Sequence, residues 1–198
     1  FIALEPTIRK HDLPMKPFDD LIRAFEQDQT LDRYQTWEQL VGYCRLSADP
    51  VGRLVLMICG EDRSERLFKL SDCICTALQL TNHWQDVKRD ILERNRIYIP
   101  QEMIGDVPEF EQRLIASAKQ EYGVDREILE QSRKIIRNCV EKTWPLFENG
   151  AALLDEVKPT TRPIVWLLAA GGQHVLRSIQ MWNYETALHR PTLGKVRR

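Results

Sequence analysis

At 198 residues, with 43% apolar and 29% charged side chains, the chain has an ordinary globular composition and is long enough to bury a core without disulfides or metal. Its 28 lysines and arginines against 29 aspartates and glutamates give a net charge of -1, so no global field recruits nucleic acid, which is excluded as an expected partner. The five cysteines, Cys44, Cys59, Cys73, Cys75 and Cys139, are odd in number and lack zinc-site spacing, and read as reduced core residues of a cytoplasmic protein.

Period-2 alternation with hairpin turns is absent, and the periodicity is helical almost throughout. Thr36-Trp37-Glu38-Gln39 reads as a capping box opening a helix that carries Leu40, Val41 and Cys44. Pro50 breaks this helix, with Asp49 as the N-cap of the next, which carries Leu54, Val55, Ile58 and Cys59. A long central helix is expected over 64–89, capped by Ser64 and carrying Leu67, Leu70, Ile74, Ala77, Leu78, Thr81 and Trp84 on its apolar side. Residues 93–105 lose the period and contain Pro100, as a loop does. From Asp125, a good N-cap, Ile128, Ser132, Ile135, Cys139, Val140, Trp144 and Phe147 mark a long amphipathic helix, ended by Lys158-Pro159. A last helix over about 161–184 is so apolar in its first half that burial on most sides is expected. Its longest apolar run, 163–170, is far short of the roughly 20 residues that cross a bilayer, so no transmembrane anchor is expected. The fold class is all-α, one helical domain over 1–198.

On the central helix Asn82, Asp86 and Asp90 stand four residues apart and share a face, drifting roughly 40° per step, with Gln79 upstream on the same stripe. Carboxylates this close repel unless neutralised, and three oxygen donors on one face suit a hard cation such as magnesium shared with a diphosphate. Lys88, Arg89, Arg94 and Arg96, with Tyr98 as a hydroxyl donor, supply contacts for that anion. By spacing alone a solvated, salt-bridged face is the better explanation of the acids. The apolar neighbours Leu78, Leu80, Trp84 and Val87 favour the ligand reading, because they leave little of this helix for solvent.

The run Gln79-Leu-Thr-Asn82-His-Trp-Gln85-Asp86-Val-Lys-Arg-Asp90, followed by Arg96-Ile-Tyr98-Ile-Pro100, resembles the second aspartate-rich motif of the squalene/phytoene synthases. Upstream, Tyr43-Cys-Arg-Leu-Ser47-Ala48-Asp49-Pro50-Val51-Gly52 resembles their tyrosine signature. The resemblance implies an isoprenoid synthase-type helical bundle in which two acidic motifs hold magnesium around a prenyl diphosphate, beside an apolar cavity. It implies Asn82, Asp86 and Asp90 on the metal side, with Gln79, Arg96 and Tyr98 at the diphosphate. Tyr43, Asp86 and Asp90 would be catalytic, Tyr43 facing the reacting carbons, and Ala48, Val51 and Gly52 would let the prenyl chain pass close to the backbone.

Gln85, His83, Asp49 and Pro50 depart from the family's commonest residues, and the Asn-x-Trp-Gln-Asp and Asp-Pro-Val-Gly forms resemble the hydroxysqualene synthases of bacterial hopanoid pathways. That branch implies conversion of presqualene diphosphate to hydroxysqualene with magnesium and no NADPH. Presqualene diphosphate or phytoene synthesis from two prenyl diphosphates such as farnesyl diphosphate, and an inactive helical partner-binding module, are the alternatives. The aromatic rings of Trp37, Trp84, Trp144, Trp166 and Trp182 are candidates to face a carbocation. Asp19-Asp20 stands too late to be the family's first aspartate-rich motif, and the chain opens at Phe1 inside a helical pattern, so we expect the C-terminal portion of a longer enzyme. Peripheral contact with the inner face of the membrane is compatible with so apolar a substrate, although no basic amphipathic helix demands it.

Overall fold

The computed structural model describes residues 2–119 and 123–192. Past a short 3-10 turn they form α1 (Glu5–Lys10), α2 (Lys16–Gln27), α3 (Trp37–Ser47), α4 (Asp49–Ile58), α5 (Glu65–Gln85), α6 (Val87–Arg94), α7 (Gln101–Ile104), α8 (Phe110–Lys119), α9 (Arg126–Gly150), α10 (Leu153–Glu156) and α11 (Arg162–Met181). No strand occurs among the described residues; one isolated parallel bridge joins Arg33 to Ile97. The fold is all-α.

Three helices start where side-chain chemistry predicts. Thr36 Oγ1 accepts from the Gln39 N–H at 3.1 Å, Ser64 Oγ from Leu67 at 3.3 Å, and an Asp125 carboxylate oxygen from Ile128 at 3.1 Å. The Gln39 side chain returns to the Gln35 N–H at 2.6 Å, one residue earlier than a standard box requires. Asp49 is not the N-cap of α4. Ala48 holds that position, and Asp49, as the first helical residue, turns its carboxylate inward to accept from Thr76 Oγ1 at 2.8 Å.

α5 is the axis of the bundle, packed by α9, α4 and α11. The main core gathers around it, with Ala77, Leu80 and Trp84 of α5 against Leu40, Cys44, Ile136, Val140 and Leu176. A smaller cluster of Leu56, Leu67, Ile74, Leu153, Val157 and Val165 fills the space between α4, α5, α10 and α11. Trp84 is fully buried with its Nε1–H donated to Thr143 Oγ1 at 3.0 Å, so its one polar atom is satisfied. α11 approaches through Gly172, where a Cβ would collide with Leu78 and lie 2.8 Å from Phe147 Cζ.

Four further expectations change. The helix over 64–89 ends at Gln85: Asp86 leaves helical geometry (φ -101°, ψ 14°), and the Lys88 N–H donates across to the Thr186 carbonyl at 3.1 Å. The helix resumes as α6 and stops at Asn95, which takes the left-handed conformation (φ 53°). The helix from Asp125 ends at Gly150, with α10 between it and Pro159, and the 93–105 loop contains the single turn of α7.

The fourth change is α11, which is buried on one stripe only. Val165, Ala169, Gly172, Leu176 and Ile179 face inward at helical spacing, while Trp166 (57% exposed) and Leu167 (66%) lie outside, with Ile164 and Leu168 also exposed. Hydrophobicity without amphipathic contrast does not tell which face meets the core. No helix among the described residues is long and apolar enough to cross a membrane. None of the cysteines forms a disulfide; Cys44 and Cys139 are buried and the others half-buried.

Candidate active site

Two cavities meet along α5. The first, of about 240 Å³, is an apolar slot walled by Ala48, Val51, Gly52 and Val55 at the start of α4, by Ile74, Cys75 and Leu78 of α5, and by Leu153, Val165 and Leu168 from α10 and α11. The second, of about 680 Å³, is polar and carries Asp28, Tyr43, Asp86, Arg89, Asp90, Arg94, Arg96, Tyr98 and Arg190. Gln79 and Asn82 line both, so the cavities share a rim.

In the polar cavity the break at Asp86 places residues from the end of α5 and the start of α6 around one space. Asp86 and Asp90 are buried, 4% and 3% exposed. Asp86 is held on one oxygen by Arg190 Nε and on the other by an Arg89 guanidinium nitrogen at 2.5 Å. Asp90 takes Arg94 at 3.2 Å. Burial, with Asp86 nearby, pushes the Asp90 carboxyl up to about 6 even though Arg94 acts against it. Past the end of α2, Asp28 accepts from Arg96 at 2.6 Å and from the Tyr43 hydroxyl at 3.3 Å, and Arg96 also donates to the Tyr98 hydroxyl at 3.1 Å. Four arginines against three aspartates leave the cavity a surplus of positive charge suited to a polyanion.

An aromatic wall backs this network. The His83 ring stacks on Tyr98 at 3.7 Å between centroids, and Tyr43 lies 6.1 Å from His83 and 6.2 Å from Tyr98. Burial, reinforced by Arg94 and Arg96, depresses the His83 imidazole to about 3, so the ring is neutral, and its buried Nε2 has no partner among the described residues. Burial also raises the Tyr43 phenol, further raised by Tyr98 and Asp28, so Tyr43 stays a hydroxyl.

All ten candidate residues line one or both cavities: Ala48, Val51 and Gly52 the slot, Tyr43, Asp86, Asp90, Arg96 and Tyr98 the polar cavity, and Gln79 and Asn82 the shared rim. Lys88 does not join them; its ammonium donates to the Leu188 carbonyl at 3.0 Å. None of the five tryptophans lines either cavity, so the aromatic residues at the site are Tyr43, His83 and Tyr98. Asp20 pairs with Lys16 at 2.8 Å, away from the site.

Two residues escape sequence reasoning. Asp28 stands alone at the end of α2 with no motif around it. Arg190 is brought in by a C-terminal segment that Gln85 pins through the Pro191 carbonyl at 2.5 Å, a contact with no sequence periodicity.

Asn82, Asp86 and Asp90, with Asp28, form an all-oxygen donor set of the hardness that magnesium prefers. Guanidinium groups occupy the Asp86 oxygens, and among the described residues no three acids, histidines or cysteines converge as a metal cluster. The donor chemistry of the set fits one wall of a magnesium site, and these residues alone do not complete one.

Comparison with known proteins matches residues 1–197 to the squalene/phytoene synthase family. The chain is 34% identical over 79% of its length to the hydroxysqualene synthase of Sinorhizobium fredii, and 30% identical over 90% to that of Rhodopseudomonas palustris. The matches cover 50% and 58% of those proteins, so the chain spans about half the length of the curated relatives it matches. The crystal structure of squalene synthase HpnC from Alicyclobacillus acidocaldarius superposes with a TM-score of 0.76 at 38% identity, over 92% of this chain and 65% of that one. The chain belongs to the squalene/phytoene synthase family.

Proposed function

We propose that the enzyme to which this chain contributes converts presqualene diphosphate and water to hydroxysqualene and diphosphate. The observation that carries the reading is the shared rim: an arginine-rich anion cavity opens at Gln79 and Asn82 onto an apolar slot, as one molecule with a diphosphate head and a prenyl tail requires. The likeness to hydroxysqualene synthases favours this step over others in the family.

Arg89, Arg94, Arg96 and Arg190 line the cavity where the diphosphate would sit, and their charge stabilises the anion as the carbon–oxygen bond breaks with its electron pair leaving on oxygen. Magnesium, held by Asn82, Asp86 and Asp90, would neutralise part of the same charge. The anion competes with Asp86 for Arg89 and Arg190, so substrate entry exchanges internal ion pairs for contacts to the leaving group. Tyr43, His83 and Tyr98 line the same cavity, and an aromatic face turned to the substrate there would stabilise the carbocation that remains and rearranges. A neutral His83 matters here, because an imidazolium would repel that cation. Water then bonds to the allylic carbon and loses a proton, and no hydride donor enters the balance.

The test is product analysis of the full-length enzyme with presqualene diphosphate and magnesium, without NADPH, beside Asp86→Ala and Asp90→Ala. Hydroxysqualene from the parent alone is expected. Condensation of two farnesyl diphosphates without turnover of presqualene diphosphate moves the protein to the first-step synthases, and activity on neither favours a binding module.

A further inference from the structure

α4 and α5 form two walls of the slot, and at Gly52 they approach closely. A Cβ there would run into Cys75 Sγ and lie 2.5 Å from Ser71 Oγ, so side chains of α5 occupy the place of a side chain on α4. The same helices are joined again away from the slot, where Asp49 Oδ1 accepts from Thr76 Oγ1 at 2.8 Å. Asp49 and Thr76 are each 5% exposed, and both border a separate cavity of about 820 Å³ rather than the slot. Placing a carboxylate in such surroundings is costly, and burial accordingly pushes the Asp49 carboxyl up to about 7.

Mechanically, apolar packing along a helix leaves small tilts and slides open, and a directional hydrogen bond at the start of the helix restrains them. Gly52 is a point of close approach, Leu56 packs α4 onto Leu67 and Ile74 further along, and Asp49–Thr76 is the buried polar link at the start of α4, beside the slot wall of Val51 and Val55. A further α4–α5 link, Arg53 to Asp72 at 2.5 Å, has its guanidinium 37% exposed and is weakened by water and salt. The buried hydrogen bond is the stronger constraint.

We propose that the Asp49–Thr76 hydrogen bond is a tether that sets the bore of the apolar slot and thereby the length of prenyl chain the enzyme accepts. The chain-length half rests on the prenyl reading of the slot; the mechanical half does not. Thr76 and Asp49 are positioning residues, since neither lines the slot.

Thr76→Val, close in shape and without the donor, tests this in the full-length enzyme, with Thr76→Ser as rescue and Arg53→Ala as the control for the outer pair. One readout is the rate at which N-ethylmaleimide alkylates Cys75, which lines the slot, mapped by mass spectrometry. The other is the ratio of affinities for unreactive farnesyl and geranylgeranyl thiodiphosphates, beside inorganic diphosphate. Thr76→Val is expected to speed Cys75 alkylation and to shift the ratio toward the longer chain, each by about fivefold, the scale of one lost buried hydrogen bond. Its affinity for inorganic diphosphate is expected to stay that of the parent. Thr76→Ser restores both readouts, and Arg53→Ala leaves both within about twofold. A folded Thr76→Val protein with unchanged labelling overturns the tether, and faster labelling with an unchanged ratio overturns its role in selection. A parent that binds inorganic diphosphate but neither prenyl probe overturns the prenyl reading and the chain-length half with it, while Cys75 labelling still decides the mechanical half. Should Thr76→Val fail to fold, Thr76→Ala carries the same two readouts.

Discussion

The two cavities that meet on α5 are organised by opposite physics. In the polar one each charge already has a partner: Asp86 is shared by Arg89 and Arg190, Asp90 is paired with Arg94, and Asp28 with Arg96. In the slot there are few polar atoms to pair, and position is set by close approach, with α5 side chains filling the space beside Gly52. The polar end is therefore adjustable, because ion pairs can be exchanged for a ligand at modest net cost. The slot is the more fixed in shape, because a packed interface has few alternatives while its restraints are intact. A substrate with a charged head and an apolar tail would meet a reorganising site at one end and a template at the other.

The largest expected effect tests the first half of that contrast. Asp86→Ala is expected to lower magnesium-dependent turnover by about 10³-fold, the scale of removing one preorganised electrostatic group. Without magnesium the same substitution frees Arg89 and Arg190, and inorganic diphosphate is expected to bind more tightly than in the parent. Titration calorimetry with and without the metal reads both signs. Equal weakening in the two conditions would mean that Asp86 holds the arginines in place rather than competing for them.

The second prediction uses a buried carboxylate behind the slot. Asp49 holds its proton up to about 7 in the folded protein, against 3.8 ordinarily. Between those values the folded state binds a proton that the unfolded chain releases, so raising the pH through this window lowers stability. Asp49→Asn keeps an acceptor for Thr76 and has no proton to lose. Its stability relative to the parent is expected to rise from pH 4 to pH 7 by about 3 kcal/mol, the value of roughly two units of differential titration. Urea unfolding across that range measures it, and parallel curves for the two proteins would refute it.

What the sequence shows of this arrangement follows the range of each interaction. The caps at Thr36, Ser64 and Asp125 and the inward stripe of α5 are local, and periodicity finds them. At the break after Gln85 the Lys88 N–H pairs with the Thr186 carbonyl, about a hundred residues away in the chain, while a helical sequence pattern continues across it. Asp28 and Arg190 reach the site by the same kind of distant pairing, so the acids of one motif were visible while Asp28 and one of the two arginines on Asp86 were not. The outer face of α11 is a different failure: Ile164, Trp166, Leu167 and Leu168 are apolar enough for a core, and only packing decides that Val165 and Ala169 take it.

On the slot side, Gly52→Ala puts one methyl where Ser71 and Cys75 stand. Overpacking of this kind costs about 2 kcal/mol of stability. The contrast between the cavities predicts that the loss of ligand affinity is confined to the tail: farnesyl thiodiphosphate weakens severalfold while inorganic diphosphate stays within about twofold of the parent. Weakening of both by the same factor would show that the slot and the anion cavity move together, and that the polar end is less adjustable than its exchangeable ion pairs indicate.

The smallest expected effect lies where the two regions touch. His83 faces the charged network yet belongs energetically to the packed side, since it stacks on Tyr98 and its imidazole is held neutral by burial with Arg94 and Arg96. A ring contributing by its face alone can be replaced by another ring. His83→Phe is therefore expected to change unfolding stability by less than about 1 kcal/mol, the scale of one aromatic pair. Nitrogen chemical shifts of His83 in the parent are expected to stay those of a neutral imidazole down to pH 5. Because protonation would add a third cation beside Arg94 and Arg96, a His83 that titrates near 6.5 would mean that carboxylates of the polar cavity reach it, and the ring would then belong to the adjustable end of the site rather than to its fixed wall.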